Sequence, residues 1–216
     1  KRTKPISVLY SEYAQKLFQI DDEVLKNIEM ESLNDNVPII TREVLNFMIF
    51  NAKGIEAKNI LEVGTATGYS GLFLAQIANT NGGQLTTIEI DEKRHEKAIE
   101  NFKKAGIFEK NHLILGDALE EIPKLDQNSK FDFIFIDAAK GQYIKFFTMC
   151  WNLLNENGLI FIDNIMFRGL VAEEETEVPK RFRTIVVRLK EFIQKLNNEF
   201  DFVLLPFGDG VGLVRK

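Results

Sequence analysis

Between residues 58 and 162 the chain repeats one pattern four times, a short, almost wholly apolar run and then a segment with helical spacing, and ends on a fifth such run. The runs are 59–63, 85–89, 112–115, 131–136 and 158–162, and the helical patterns fall at about 70–79, 92–105, 117–122 and 142–154. A strand with no polar face has both sides covered, and strands joined through helices lie parallel. The pattern therefore predicts an α/β fold with a mostly parallel sheet between helical layers. With 216 residues, the chain is long enough for one such domain. Phe182, Ile185, Val186, Leu189, Phe192, Ile193 and Leu196 form a further helical stripe. Phe202-Val203-Leu204-Leu205-Pro206 and Gly212-Leu213-Val214, joined through Gly208-Asp209-Gly210, read as a hairpin forming an antiparallel edge. Upstream, residues 6–33 carry apolar positions at helical spacing and predict one or two helices. Asn34-Asp35-Asn36 and Pro38 break them, and Thr41 is placed as the N-cap of a helix reaching about Asn51. The expected organisation is a single domain, with a helical segment at 1–50 and a core at 58–216.

Charge and cysteine usage narrow the class. The formal net charge is −5, which excludes a globally basic nucleic-acid binder but not a local basic patch. Cys150 is the only cysteine, so neither an internal disulfide nor a cysteine zinc cage can form. No apolar run approaches the roughly 20 residues of a membrane helix. The basic start Lys1-Arg2-Thr3-Lys4-Pro5 is not followed by a secretory apolar region. These features predict a soluble, cytoplasmic protein without membrane contact.

In open α/β sheets, ligands sit beyond the carboxyl ends of the strands. The first run leads into Gly64-Thr65-Ala66-Thr67-Gly68-Tyr69-Ser70-Gly71, whose G-x-x-x-G-x-x-G spacing is neither the dinucleotide fingerprint nor a Walker loop. The second ends at Glu89, placed to accept hydrogen bonds from ribose hydroxyls, and the third leads to Asp117-Ala118, placed to meet a base. In this order they point to an adenosine ligand; the competing account is a turn followed by helix caps. The fourth and fifth runs end at Asp137 and at Asp163-Asn164. Carboxylate and amide oxygens there suit a hard cation such as Mg²⁺, or simply cap a loop. Lys140 lies three residues after Asp137, and an amine beside a cation loses its proton more readily, which suits a general base. It could equally be a solvated loop lysine.

Leu61 through Ser70, Asp137-Ala138-Ala139-Lys140-Gly141-Gln142-Tyr143, and Gly158 through Asn164 resemble the motifs of the cation-dependent O-methyltransferases, the catechol and caffeoyl-CoA type. The resemblance runs from about Val37 to the C-terminus and implies a Rossmann-like class I methyltransferase fold. Phe146-Phe147, Phe167 through Glu173, Glu92 through Glu96 and Pro206 through Gly210 are similar to a bacterial branch that methylates 5-hydroxyuridine at the tRNA wobble position, giving 5-methoxyuridine. For matching positions the resemblance implies that Asp137, Asp163 and Asn164 hold the divalent metal, and that Lys140 is the base. It also implies that Val37, Glu62, Gly64, Tyr69, Ser70, Glu89, Asp117, Ala118 and Asp137 line S-adenosylmethionine. A homodimer follows from the resemblance alone. Thr67 receives no role, and Ala139 and Gly141 stand where the plant-type motif is acidic. Tests of the tRNA substrate centre on residues 179–190, which hold five cations and no acid, with Arg168, Lys180, Arg181 and Arg183 as candidate RNA contacts. The same stretch also reads as the solvated face of an amphipathic helix.

Overall fold

The computed structural model describes residues 4–174 and 176–216. Three helices come first: α1 (Ile6–Leu17), α2 (Glu23–Asn34) and α3 (Arg42–Gly54). The α/β core follows as β1 (Asn59–Val63), α4 (Tyr69–Thr80), β2 (Gln84–Glu89), α5 (Glu92–Lys104), β3 (His112–Leu115), α6 (Ala118–Glu121), β4 (Phe131–Ile136), α7 (Tyr143–Leu153) and β5 (Leu154–Ile162). It closes with α8 (Arg183–Glu199), β6 (Asp201–Leu205) and β7 (Val211–Arg215). All seven expected strands form. The differences are local: β5 begins at Leu154 rather than 158, and Thr41 occupies the N-cap of α3 without a side-chain capping bond. Asp22, Asp91 and Asp117 do cap their helices, each accepting from backbone N–H groups of the first turn.

The sheet order is β3-β2-β1-β4-β5-β7-β6; the first five strands pair in parallel, β7 runs antiparallel to β5, and β6 pairs antiparallel with β7. The expected edge hairpin is present, with its second strand inserted beside β5. Along β4 and β5 side chains alternate between two cores. Phe133, Phe135, Leu159 and Phe161 face the side covered by α3 and α4, while Ile134, Ile136, Ile160 and Ile162 face that of α7 and α8. This alternation is the strand period of two applied to two buried faces. Helix α4 is buried on nearly all sides because α2 and α3 add a second helical layer over it. Helices α2 and α3 therefore share the core of the sheet, whereas α1 buries no residue.

The topology fixes where a ligand can sit. The chain starts at the centre of the sheet, builds outward through β2 and β3, and returns to place β4 on the other side of β1. Loops leaving β1 and β4 diverge to opposite faces and open a crevice between them.

Candidate active site

Strand pairing brings five strand ends into one row. The Gly116 N–H donates to the Glu89 carbonyl (2.9 Å), Gly64 N–H to Ile88 (3.0 Å), Asp137 N–H to Val63 (3.0 Å) and Asp163 N–H to Ile136 (3.1 Å). Reading across the sheet, the row is Asp117, Glu89, Gly64, Asp137, Asp163. A cavity of about 400 Å³ lies over it, lined among others by Gly64, Glu89, Asp117, Ala118, Asp137, Lys140, Asp163 and Asn164. Residues that sequence spacing placed on five separate loops thus share one chamber.

The glycine loop is shaped for close approach. Gly64 has φ +101°, and a Cβ there would overlap the Asp137 carbonyl oxygen and lie 2.9 Å from its carbon. Gly68 (φ +86°) leads directly into α4. Glu89 is buried, and its two oxygens accept from Ala66 N–H (2.7 Å) and Asp91 N–H (2.9 Å). A carboxylate has about four acceptor sites, so two remain for hydroxyls of a ligand in the cavity. Asp117 caps α6 through Leu119 N–H (2.9 Å) and also lines the cavity, so the capping and ligand accounts of this residue are compatible.

Other expected ligand residues sit differently. Glu62 is fully buried behind the loop, accepting from Ser70 Oγ (2.5 Å) and Thr87 Oγ1 (2.6 Å). Desolvation pushes its carboxyl up to about 8 against those two donors, and Asp137 and Glu89 add repulsion. Glu62 lines neither cavity at this site; it braces the loop from behind. Tyr69 and Ser70 line a small annex with Gly64, Ala66, Asp137 and Pro38–Ile40. Val37 lines neither space, and the wall attributed to it is formed by the next residues, Pro38, Ile39, Ile40 and Thr41.

At the other end of the row, Asp137, Asp163 and Asn164 converge. Lys140 Nζ donates to Asn164 Oδ1 (3.0 Å) and lies 3.5 Å from Asp137 Oδ1, so an ammonium group already bridges two of the three oxygens. Asp163 Oδ1 accepts from Asn164 N–H (2.7 Å), and Tyr143 Oη donates to the Asp163 carbonyl (2.8 Å). Burial pushes both aspartates above the usual carboxylate range, Lys140 opposes this, and for Asp163 the neighbouring Asp137 raises it further. Two crowded carboxylates and an amide oxygen, with a cation already drawn between them, fit a hard divalent ion. Among the described residues no group of three His, Cys, Asp or Glu side chains is clustered for a metal; the donor set here is two carboxylates and an amide.

Several contributors escaped the sequence reading. Asp209, in the β6–β7 turn, lines the cavity and accepts from Arg168 N–H (2.5 Å), tying that turn to the loop after Asn164. Gln142 lines the cavity beside Lys140, with its Oε1 buried and unpartnered among the described residues. Thr67, given no role, is held by Ser32 Oγ (2.8 Å) and by Asn101 Nδ2 on its carbonyl (2.8 Å). The loop that follows β5 is strained, with positive φ at Asn164, Phe167 and Arg168. Of the basic candidates, Arg168, Lys180 and Arg181 are exposed, whereas Arg183 is half-buried and donates from Nε to the Val178 carbonyl (3.1 Å). Phe182 meets Phe167 edge-on at 5.3 Å, which sets the basic segment beside the loop that follows Asn164.

Comparison with known proteins agrees with this arrangement. The O-methyltransferase family matches residues 14–216. A caffeoyl-CoA O-methyltransferase of Populus kitakamiensis is 34% identical over 187 residues, spanning 84% of this chain and 78% of that protein. Tapetum-specific methyltransferase 1 of Arabidopsis thaliana is 33% identical over 174 residues, spanning 79% and 74%. The SAH-bound methyltransferase of Podospora anserina superposes with a TM-score of 0.86 at 27% identity, covering 100% of this chain and 97% of that one. With its strand-end row, its acidic cavity and a match over nearly its whole length, the chain belongs to the O-methyltransferase family.

Proposed function

We propose that this chain transfers a methyl group from S-adenosylmethionine to one of two adjacent oxygens on an acceptor of the catechol or caffeoyl-CoA type, with a divalent cation such as Mg²⁺. The observation that carries the reading is the single cavity joining a nucleoside end, at Glu89 and Asp117, to an oxygen-rich end, at Asp137, Asp163 and Asn164. The relatives named above support the acceptor class, and the SAH-bound neighbour supports the donor. When bound, the cation favours the ionised acceptor hydroxyl, and the sulfonium donor supplies an electrophilic methyl.

The chain's own residues do the rest. Glu89 accepts from the ribose hydroxyls, and Gly64 lets the donor approach the backbone. Asp137, Asp163 and Asn164 present three oxygens to the cation. Lys140, in its neutral amine form, would receive the acceptor's proton at Nζ, giving back the ammonium that bridges Asp137 and Asn164. The walls hold donor and acceptor in register, and that positioning is the main rate contribution expected of such a site.

A second reading keeps this chemistry and changes the acceptor to 5-hydroxyuridine at the wobble position of tRNA, whose 4-carbonyl and 5-hydroxyl are also adjacent oxygens. The basic segment beside the Asn164 loop favours it, since Arg168, Lys180 and Arg181 are exposed there. Either acceptor is met in the cytoplasm on this proposal. The exposed Tyr10, Tyr13 and Leu17 of α1 support a homodimer.

The test supplies labelled methyl donor and Mg²⁺ with a simple catechol, caffeoyl-CoA, unmodified tRNA and tRNA carrying 5-hydroxyuridine, each with and without chelator. Chelator-sensitive transfer to the small acceptors supports the first reading, and transfer only to hydroxylated tRNA supports the second. Chelator-insensitive transfer, or full activity in Asp163→Ala, would overturn the metal assignment in both.

A further inference from the structure

We infer that Glu29 is a positioning residue for the methyl donor: its carboxylate fastens the Pro38–Thr41 wall of the cavity to the glycine loop, and so sets donor affinity. This rests on the donor reading above.

Glu29 lies on α2 and lines neither the cavity nor its annex, yet it is only 6% exposed. Its Oε1 accepts from Arg42 Nε (2.8 Å) and Tyr69 Oη (2.9 Å), and its Oε2 accepts from Arg42 Nη2 (2.5 Å). The Arg42 pair is a fork-to-fork arrangement, the most directional ion pair available to side chains. The positions of its two partners matter more. Arg42 is the first residue of α3, immediately after the wall, and Tyr69 is the first residue of α4, immediately after the loop. One carboxylate therefore pins the ends of both segments. One turn further along α2, Ser32 repeats the device: its carbonyl accepts from Val37 N–H (2.9 Å) where the wall begins, and its hydroxyl pairs with Thr67 in the loop (2.8 Å).

Wall and loop face each other across a slot. Pro38, Ile39 and Ile40 line both the main cavity and the annex, whose opposite side is Gly64, Ala66, Tyr69 and Ser70. The wall has no ladder hydrogen bonds of its own to hold it there. A ligand that must order one side of its slot binds more weakly by the fraction of time that side is in place. Stability alone is a poor account of the cluster, because a buried ion pair adds little over well-packed apolar residues.

The test is calorimetric titration of S-adenosylhomocysteine into wild type, Glu29→Gln, Tyr69→Phe and the double variant, with thermal melts and hydrogen exchange at residues 37–41. Glu29→Gln is expected to weaken binding about tenfold or more and Tyr69→Phe about threefold, the scale of charge-assisted hydrogen bonds. The double variant should be no worse than Glu29→Gln, since both changes act through one carboxylate. In Glu29→Gln, KM for the donor should rise in parallel while kcat at saturating donor changes less than about twofold, as for loss of uniform binding. Ligand-induced protection at 37–41 should fall in Glu29→Gln. Wild-type affinity in a Glu29→Gln protein that merely melts earlier would overturn the proposal. Tyr69→Phe keeps the ion pair; should Glu29→Gln not fold, unchanged affinity in Tyr69→Phe overturns the proposal alone. No binding to the wild-type chain overturns the donor reading and this inference with it.

Discussion

Gly64→Ala is the substitution that most directly tests the row of strand ends. Its cost has two parts. An L side chain at φ +101° costs about 1–2 kcal/mol in backbone strain. The new Cβ would also overlap the Asp137 carbonyl, 2.9 Å from its carbon, where ordinary carbon contacts are about 3.5–4.0 Å. Neither side can yield easily, because Gly64 N–H is bonded to Ile88 (3.0 Å) and Asp137 N–H to Val63 (3.0 Å). Overpacking of this kind costs about 1–3 kcal/mol. The total, about 2–5 kcal/mol, lowers Tm by about 4–20 °C in a chain of this size. Gly82→Ala is the control: it carries φ +81° with nothing within 4 Å of its Cβ, so it bears only the strain part and a fall of about 2–8 °C. Because the relief of the overlap displaces Asp137, Gly64→Ala should also lose S-adenosylhomocysteine binding and cation-dependent transfer, and Gly82→Ala should lose neither. Calorimetric melts and ligand titration on both proteins check this. Equal melting temperatures, with wild-type ligand binding in Gly64→Ala, would refute the close approach of β1 and β4 on which the site depends.

Glu62 keeps its proton in the folded chain up to about pH 8, whereas an unfolded glutamate releases it near 4.5, so its contribution to stability declines as pH rises through that window. Glu62→Gln removes this dependence; relative to wild type it should gain stability from pH 5 to pH 8 in chemical denaturation, and a flat difference curve would contradict the burial argument. Lys140→Met should cut transfer sharply at saturating donor and acceptor while S-adenosylhomocysteine titration stays at wild-type affinity; undiminished turnover would remove Lys140 from the chemistry. Replacing Lys180 and Arg181 with Glu leaves Arg183 in its contact with Val178 and should weaken polyanionic acceptors with a shallower salt dependence, sparing simple catechols; equal loss on both acceptor types would mark a structural role. Phe192→Ala, in the buried cluster with Tyr143 and Phe147, should cost about 3–5 kcal/mol in denaturant titrations.

The strands were legible because each is a short run rich in apolar residues; β1, β2, β4 and β5 are buried on both faces, while the edge strands β3 and β6 bury no residue. Gly64, Glu89, Asp117, Asp137 and Asp163 were legible because they follow those runs directly. Glu29 had a fainter signal: Leu25, Ile28, Glu29 and Ser32 form one buried stripe of α2, and a charged and a hydroxyl residue on such a stripe mark buried polar contacts. Asp209 had its place in a Gly-Asp-Gly turn and in the Pro206–Gly210 stretch that carries the resemblance, and neither says what that turn would meet.

Local chemistry along the chain thus specified the element types, the order of the loops and the residue types at the strand ends, because hydrophobic period and position after a strand are nearest-neighbour properties. Which strand ends stand side by side is a matter of hydrogen-bond pairing between segments tens of residues apart. The parallel order β3-β2-β1-β4-β5 set Asp137 between Gly64 and Asp163. Side-chain packing then separated residues that face the cavity, such as Glu89 and Asp117, from those that brace it, such as Glu62 and Glu29. That distinction depends on which neighbour satisfies each buried oxygen, and it arises only when distant segments meet.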